Sequence, residues 1–256
     1  MDVTNRFVLD FAMRYARQRA SVRILDFGCG AGRLVEAGLA AGLKMAGADV
    51  YYGGSRTRAE AEQSGLLGSV IREIHDGRLD FEDATFDLLV NNQVMEHVED
   101  LDAVLEELHR VLKPGGTMLS LFPSRDVFRE GHIGIPFAHR LSRGSRLRFL
   151  YTWGLRSLGL GAWKEEAPTC RQWAVGKLAW IDTYTHYRSR REIRASFQRY
   201  FSSRFCESDY IRYRLLDRPG RQALAWFAGL PGVAPLARAV FRKLAFLVIV
   251  SEKAVG

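Results

Sequence analysis

The segment VRILDFGCGAGR (residues 22–33) gives the strongest indication of the fold of this chain. A short apolar run breaks into glycines at 28, 30 and 32, a pattern that predicts a buried strand, a tight turn and a following helix. Glycines in such a turn allow positive φ and let a ligand approach the backbone closely. The stretch therefore predicts a ligand-binding loop at the end of a buried strand.

Apolar runs and amphipathic segments alternate on either side of this loop, and this alternation predicts an α/β fold with a parallel sheet. The predicted strands are residues 44–50, 69–76, 86–92, 117–124, 205–215 and 244–253. The predicted helices are residues 4–20, 34–42, 55–65, 101–116 and 191–201, with two helical pieces at 221–230 and 234–244.

Two acidic residues indicate the kind of ligand. Asp49 closes the strand that follows the loop, where a carboxylate can accept hydrogen bonds from both ribose hydroxyls of a nucleoside cofactor. This spacing would also suit NAD, but Arg33 stands where the third glycine of a dinucleotide loop belongs. Asp26, two residues before the first glycine, would repel a pyrophosphate and could hold a ligand that carries an ammonium group. These features favour a nucleoside ligand with a positive charge.

With these motifs, the sequence resembles the class I S-adenosylmethionine-dependent methyltransferases, in the small-molecule type 11 group that includes quinone methyltransferases. ILDFGCGAGR is similar to the first motif of the family, and GADV supplies its ribose-binding acid. HDGRLDFEDATFDLL and NNQVMEHVEDLDAVLEELHRVLKPGG are similar to the later motifs, in the same order. The resemblance covers roughly residues 22–123. It implies a Rossmann-like, doubly wound, seven-stranded sheet whose last strand is antiparallel.

The same resemblance implies S-adenosylmethionine as the cofactor and a set of residues that bind it. Asp76, with Gly77 beside it, corresponds to the acid that contacts the adenine amino group. The cofactor-binding residues implied in this way are Asp26, Gly28, Cys29, Gly30, Gly32, Asp49, Val50, Asp76, Gly77, Asn92 and Gln93. A methyltransferase-like binding module without activity and an RNA methyltransferase remain as alternatives.

A methyl acceptor with a hydroxyl group needs a base, and histidine is the most suitable side chain near neutral pH. His132 lies in a glycine-flanked loop just after the fifth strand and is the preferred candidate. His97, after the fourth strand, is the alternative. Histidines and tyrosines further along (His139, His186, Tyr184 and Tyr187) and a mechanism without a base remain open.

The charge of the chain is divided between its two halves. The net charge is +8, from 37 basic and 29 acidic residues. Residues 1–123 hold 13 basic and 19 acidic residues (−6), so residues 124–256 hold the remaining 24 and 10 (+14). We interpret residues 1–256 as a single methyltransferase domain in which residues 124–190 form a cap over the substrate.

Three partners would explain such a basic, aromatic second half. An anionic small-molecule substrate would pair with a few arginines, an anionic membrane surface would bind a basic amphipathic region, and RNA would use stacking and phosphate contacts. RNA is the weakest of these, because the segment after the fourth strand reads NNQV and lacks an N/D-P-P-Y signature. A solvated basic face without a partner is the fourth interpretation.

The remaining features concern metals and compartment. The cysteines at 29, 170 and 206 follow no paired spacing, and no C-x-x-C or H-E-x-x-H pattern predicts a metal site. Charged residues interrupt the first twenty residues, and no uncharged apolar run reaches the ~18–20 residues of a membrane span. We therefore expect a cytoplasmic protein that binds no metal.

Overall fold

A computed structural model describes residues 1–51 and 56–255. Its seven strands form one sheet, in the order β3-β2-β1-β4-β5-β7-β6. The strands are β1 (Arg23–Phe27), β2 (Lys44–Asp49), β3 (Ile71–Glu73), β4 (Phe86–Asn92), β5 (Leu112–Phe122), β6 (Ser202–Phe205) and β7 (Leu247–Glu252). All neighbouring strands are parallel except that β7 is antiparallel to β5 and to β6. The predicted seven-stranded sheet with an antiparallel last strand is confirmed.

The central strands are buried on both faces, which is why their sequences are continuously apolar rather than alternating. Ile24, Leu25, Leu89 and Leu119 are all inaccessible to solvent. The sheet order reverses direction between β1 and β4, and in open α/β sheets ligands bind outside the carboxyl ends of strands at such a point. The fold therefore places the glycine loop, which follows β1, at the usual ligand-binding edge.

The helices of the described residues cover both faces of the sheet and extend beyond it. They are α1 (Val3–Arg17), α2 (Arg33–Ala40), α3 (Arg56–Gln63), α4 (Leu101–Val111), α5 (Arg146–Ser157), α6 (Cys170–Tyr184), α7 (Arg190–Tyr200), α8 (Glu207–Leu216), α9 (Gln222–Ala228) and α10 (Ala234–Leu244). Ser55, the first residue of the helix predicted over 55–65, lies outside the described residues.

The helix predicted over 101–116 is shorter than expected. Helix α4 ends at Val111, and Leu112 already pairs with Phe86 of β4. Pro114 has no amide hydrogen to donate within a helix, and Gly115 adopts a left-handed conformation with φ of 73°. The segment KPGG therefore belongs to an irregular start of β5 rather than to the last turn of the helix.

The strand predicted over 205–215 is wrong for most of its length. Only residues 202–205 pair with β7, and α8 begins at Glu207. Two acidic residues in its first turn, Glu207 and Asp209, stabilise the helix because they lie at the positive end of its dipole. Tyr210, which looked like part of a strand alternation, is buried and packs edge-to-face on Phe7 of α1. The packing of Tyr210 against α1 therefore favours a helix over a strand in this segment.

Residues 124–190 contain α5, α6 and two short 3₁₀ turns, with a small apolar core of their own. Ile133, Ile135, Trp173 and Ile181 are buried in this core. The end of the segment is attached to the residues after β4, because the amide of His186 donates to the carbonyl of Glu96 at 2.6 Å. Whether this segment covers the substrate stays a prediction.

Among the described residues, none of the helices combines the length and the apolar character that a membrane span needs.

Candidate functional site

The glycine loop is held against the end of β2 by hydrogen bonds from its backbone. The amide of Gly28 donates to the carbonyl of Ala48 at 2.7 Å, and the amide of Gly30 donates to Oδ2 of Asp49 at 2.6 Å. A Cβ atom at Gly28 would lie 2.3 Å from a methyl carbon of Val94, and φ there is 77°. Gly28 therefore lets the loop after β4 approach the loop after β1 closely.

A cleft of about 450 Å³ opens beside this loop. Six of the predicted cofactor residues line it: Asp26, Gly28, Cys29, Gly30, Asn92 and Gln93. The other lining residues are Asn5, Ala31, Arg33, Leu34, Thr57 and Glu60. The cleft thus combines the loop after β1 with the loop after β4, as the sequence predicts for these residues.

The two carboxylates beside the cleft lie in a poorly solvated environment. Burial, followed by the nearby charge of Asp49, raises the pKa of Asp26 to about 7. Burial also raises the pKa of Asp49, while the hydrogen bond from Gly30 acts in the opposite direction. A cationic group placed in the cleft would stabilise the ionised form of Asp26. The acceptors present therefore fit the ammonium and ribose hydroxyl groups of S-adenosylmethionine.

Some predicted cofactor residues lie elsewhere. Asp76 and Gly77 are exposed and line a different cavity, together with Glu107 and Arg110. Val50 is 47% exposed. Gly32 is the N-cap of α2. A Cβ atom there would lie 2.5 Å from the side chain of Ile71, so a glycine at this position allows close packing. The structure therefore does not bring Asp76 and Gly77 to the glycine-loop cleft.

A second cluster forms where residues 130–132 and 180–187 meet the residues after β4. The centroid of the His132 ring lies 5.0 Å from that of His97, and the two rings meet edge to face. It also lies 5.0 Å from the ring centroid of Trp180. Nδ1 of His132 lies 2.7 Å from Oε1 of Glu130. The hydroxyl of Tyr187 donates to the same Glu130 oxygen at 2.5 Å. The structure thus brings together both histidines that the sequence offers as bases.

The surroundings of the two histidines shift their pKa values in opposite directions. Burial acts to lower the pKa of His132, but the hydrogen bond and charge of Glu130 outweigh it, so that the pKa is raised. The pKa of His97 is lowered, because burial outweighs the hydrogen bond between its Nδ1 and the carbonyl of Tyr184. His132 is therefore the stronger base of the pair.

Glu96 completes the cluster. It is 1% exposed, and neither carboxylate oxygen has a hydrogen-bond partner among the described residues. Burial raises its pKa to about 8. Glu96, His97 and His132 each place a donor atom within 4.8 Å of the others. Such a set could hold a zinc ion, which a search for ligand spacing misses because 35 residues separate the two histidines.

The hydrogen-bond partners of His132, Glu130 and Tyr187, are not evident from the sequence. Glu130 is only two residues before His132, but nothing in the sequence of this loop indicates that its carboxylate contacts the imidazole. The hydrogen bond from the amide of Ile133 to Oε2 of Glu130, at 2.6 Å, fixes that turn. Tyr187 is 55 residues further along than His132, so only packing of the chain brings it there.

A seven-stranded sheet with one antiparallel strand defines a class I methyltransferase fold. Asp49, at the end of β2, does not line the cleft itself but accepts a hydrogen bond from the glycine loop beside it. Residues 25–120 match a family model described as "Methyltransferase domain". Residues 25–120 thus match the sequence pattern of a methyltransferase domain, and this match indicates S-adenosylmethionine as the cofactor. Both predictions are confirmed.

Several relatives of this chain are named "Ubiquinone biosynthesis O-methyltransferase". One from Chelativorans sp. is 36% identical over 106 residues, which are 41% of this chain and 42% of the relative. Another, from Maricaulis maris, is 26% identical over 191 residues, which are 69% of this chain and 74% of the relative. The first of these alignments spans less than two thirds of the relative's length.

Solved structures of similar fold include an S-adenosylmethionine-dependent methyltransferase from Mesorhizobium loti. It superposes with a TM-score of 0.52 at 18% identity, covering 96% of this chain and 100% of that one. A methyltransferase from Methanosarcina mazei gives a TM-score of 0.52 at 16% identity, covering 95% and 98%. At these identities the likeness concerns the fold alone.

Proposed function

We propose that this protein transfers the methyl group of S-adenosylmethionine to an oxygen atom of a small acceptor that is anionic or linked to a lipid or sugar. The observation that carries the proposal is the position of His132. Nδ1 of His132 is hydrogen-bonded to Glu130, and its ring lies beside His97 on the segment after β4. The last residue of β4, Asn92, and the residue after it, Gln93, line the cofactor cleft.

Methyl transfer to a hydroxyl group requires that the acceptor be oriented toward the methyl carbon and that its proton be removed. With Nδ1 donating its hydrogen to Glu130, the Nε2 atom of His132 keeps its lone pair and can accept that proton. The buried carboxylate of Glu130 then stabilises the imidazolium that forms. His132 is the base in this proposal, and His97 is the alternative.

The cofactor supplies the electrophilic methyl group when bound. Residues of the chain supply its binding site: Asp49 would accept ribose hydroxyls and Asp26 would face the ammonium group. Residues 124–190, which carry His132, would cover the acceptor. The names of the relatives support oxygen as the methylated atom, and the charge of the second half supports an acceptor with a negative group.

The test is a screen for S-adenosylhomocysteine formation with phenolic, carboxylated, phosphorylated and prenylated hydroxyl compounds. We expect turnover with at least one class and its loss in His132→Ala. His109→Ala is the matched control, because that histidine lies on α4 against Phe201 and lines a different cavity. Binding of S-adenosylmethionine without turnover of any class would favour the inactive binding module.

A further inference from the structure

Helices α9 and α10 present apolar side chains to solvent. On α10, Leu236, Val240 and Leu244 follow each other at intervals of four residues and are 66%, 48% and 69% exposed. None of the residues of α10 is buried. Residues at this spacing share one face of a helix. The outer face of α10 is therefore an apolar stripe.

The opposite face of α10 fixes its orientation. Arg242 forms an ion pair with Glu207, with Nε and Oε1 2.7 Å apart, and Glu207 is wholly buried. Phe241 packs against Tyr210, with ring centroids 5.6 Å apart. A buried ion pair is strongly destabilised when either partner is removed, so this contact holds α10 with its charged face inward and its leucines outward.

Helix α9 also exposes apolar side chains. Leu224, Trp226 and Phe227 are 49%, 69% and 51% exposed, while Ala225 between them is buried against the rest of the protein. A tryptophan and a phenylalanine in neighbouring exposed positions are typical of helices that lie in a membrane interface, where an aromatic ring sits at the level of the lipid headgroups. We call the exposed apolar side chains of residues 224–244 the α9–α10 surface.

The charged residues of the segment that carries this surface have one sign. Between residues 218 and 251 the chain has five basic residues and no acidic one: Arg218, Arg221, Arg238, Arg242 and Lys243. Glu207 neutralises Arg242, which leaves four. A second copy of the chain in a two-fold contact would bring these like charges face to face. An anionic lipid surface instead supplies the opposite charge and a hydrocarbon region for the leucines.

We propose that the α9–α10 surface docks onto a membrane that contains anionic lipids, with Leu236, Leu244 and Trp226 entering the interface. The docking does not depend on methyl transfer. It would place residues 124–190 near the membrane too, because the amide of Phe128 donates to the carbonyl of Lys243 at the end of α10, at 2.6 Å.

The experiment is co-sedimentation of the full chain with vesicles of phosphatidylcholine alone and of phosphatidylcholine mixed with phosphatidylglycerol, without cofactor or acceptor. We expect binding to the mixed vesicles that decreases as salt shortens the Debye length from ~10 Å at 0.1 M. The double variant Leu236→Glu/Leu244→Glu should lose the binding by about a hundredfold, since each leucine contributes about tenfold. The matched control is Leu39→Glu, an exposed leucine on α2.

Circular dichroism and S-adenosylmethionine binding show whether each variant is folded. Equal vesicle binding by the wild type and the double variant would overturn the proposal, as would a wild type that sediments with neither vesicle. A wild-type dimer that the double variant abolishes, without vesicle binding, would assign the surface to a second copy instead. Vesicle binding in a protein that never turns over an acceptor would leave this proposal intact and contradict only the proposed function.

Discussion

Oε1 of Glu130 lies 2.7 Å from Nδ1 of His132, and the carboxylate is inaccessible to solvent. A buried carboxylate that accepts from an imidazole fixes the tautomer of the ring, orients it and favours its protonated form. Removal of either residue should therefore affect turnover in different and measurable ways.

For His132→Ala, we expect turnover to fall by ~10²–10⁴, the usual contribution of a general base, while affinity for S-adenosylmethionine stays unchanged. The measurement is S-adenosylhomocysteine release at saturating acceptor, beside calorimetry of cofactor binding. A variant that retains turnover within a few-fold of wild type would exclude His132 and leave His97 as the candidate.

For Glu130→Gln, we expect the pH profile to change as well as the rate. Glu130 raises the pKa of His132 above its ordinary value, and a base is active only when deprotonated, so wild-type turnover should rise with pH through that raised pKa. Without the carboxylate charge the pKa falls and the acidic limb moves to lower pH. A purely structural role of Glu130 would lower the rate at every pH and leave the limb in place.

The pH dependence of cofactor binding should depend on Asp26. Its pKa is raised to about 7, and a bound ammonium group would lower it. Binding should therefore release a proton and weaken by up to about tenfold per unit as the pH falls below 7. Calorimetry in buffers of different ionisation enthalpy measures this, and Asp26→Asn should show weaker, pH-independent binding. Proton release that persists in Asp26→Asn would contradict the assignment.

The same carboxyl group predicts a trend in stability. Asp26 ionises near pH 4 in the unfolded chain but holds its proton to about pH 7 in the folded apoprotein. The unfolded state then binds fewer protons, so the free energy of unfolding should fall as the pH rises from 4 to 7. Asp26→Asn should remove this contribution in denaturant titrations compared at pH 4.5 and 7.5.

The glycine loop and the end of β2 should dominate cofactor affinity. Gly30→Val should abolish binding, because φ at Gly30 is 55° and a β-branched side chain would occupy the cofactor's space. Asp49→Ala should weaken binding by ~1–3 kcal/mol. Asp76→Ala is the informative comparison: since Asp76 lines another cavity, we expect a smaller effect than for Asp49→Ala. A larger one would show that the turn at Asp76 moves to the cofactor.

Zinc should inhibit the reaction. Glu96, His97 and His132 can each offer a donor atom within 4.8 Å of the others, and a bound ion would occupy the lone pair that the base needs. We expect inhibition that a chelator reverses and that His97→Ala weakens. Activation by zinc would show that the cluster works with a metal and that His132 is a ligand rather than a base.

Most of the sheet and the glycine loop could be predicted from the sequence, because they depend on local patterns. Apolar runs such as residues 88–90 indicate a strand that is buried on both faces. Glycine is favoured at 28 and 30 because φ is positive there, and at 28 the loop after β4 also packs closely. Asp49 also follows from its place at the end of the next strand. These signals lie within a few residues of the feature that they predict.

The remaining features could not be predicted from local patterns, because they depend on contacts between residues that are distant in the sequence. Residues 207–216 form a helix whose Tyr210 packs on Phe7, and the surroundings of His132 include Tyr187 and His97, which are 55 and 35 residues away. The outward face of α10 follows from the burial of Glu207 beside Arg242. A local pattern records which side chains are apolar or charged, whereas packing decides which of them meet.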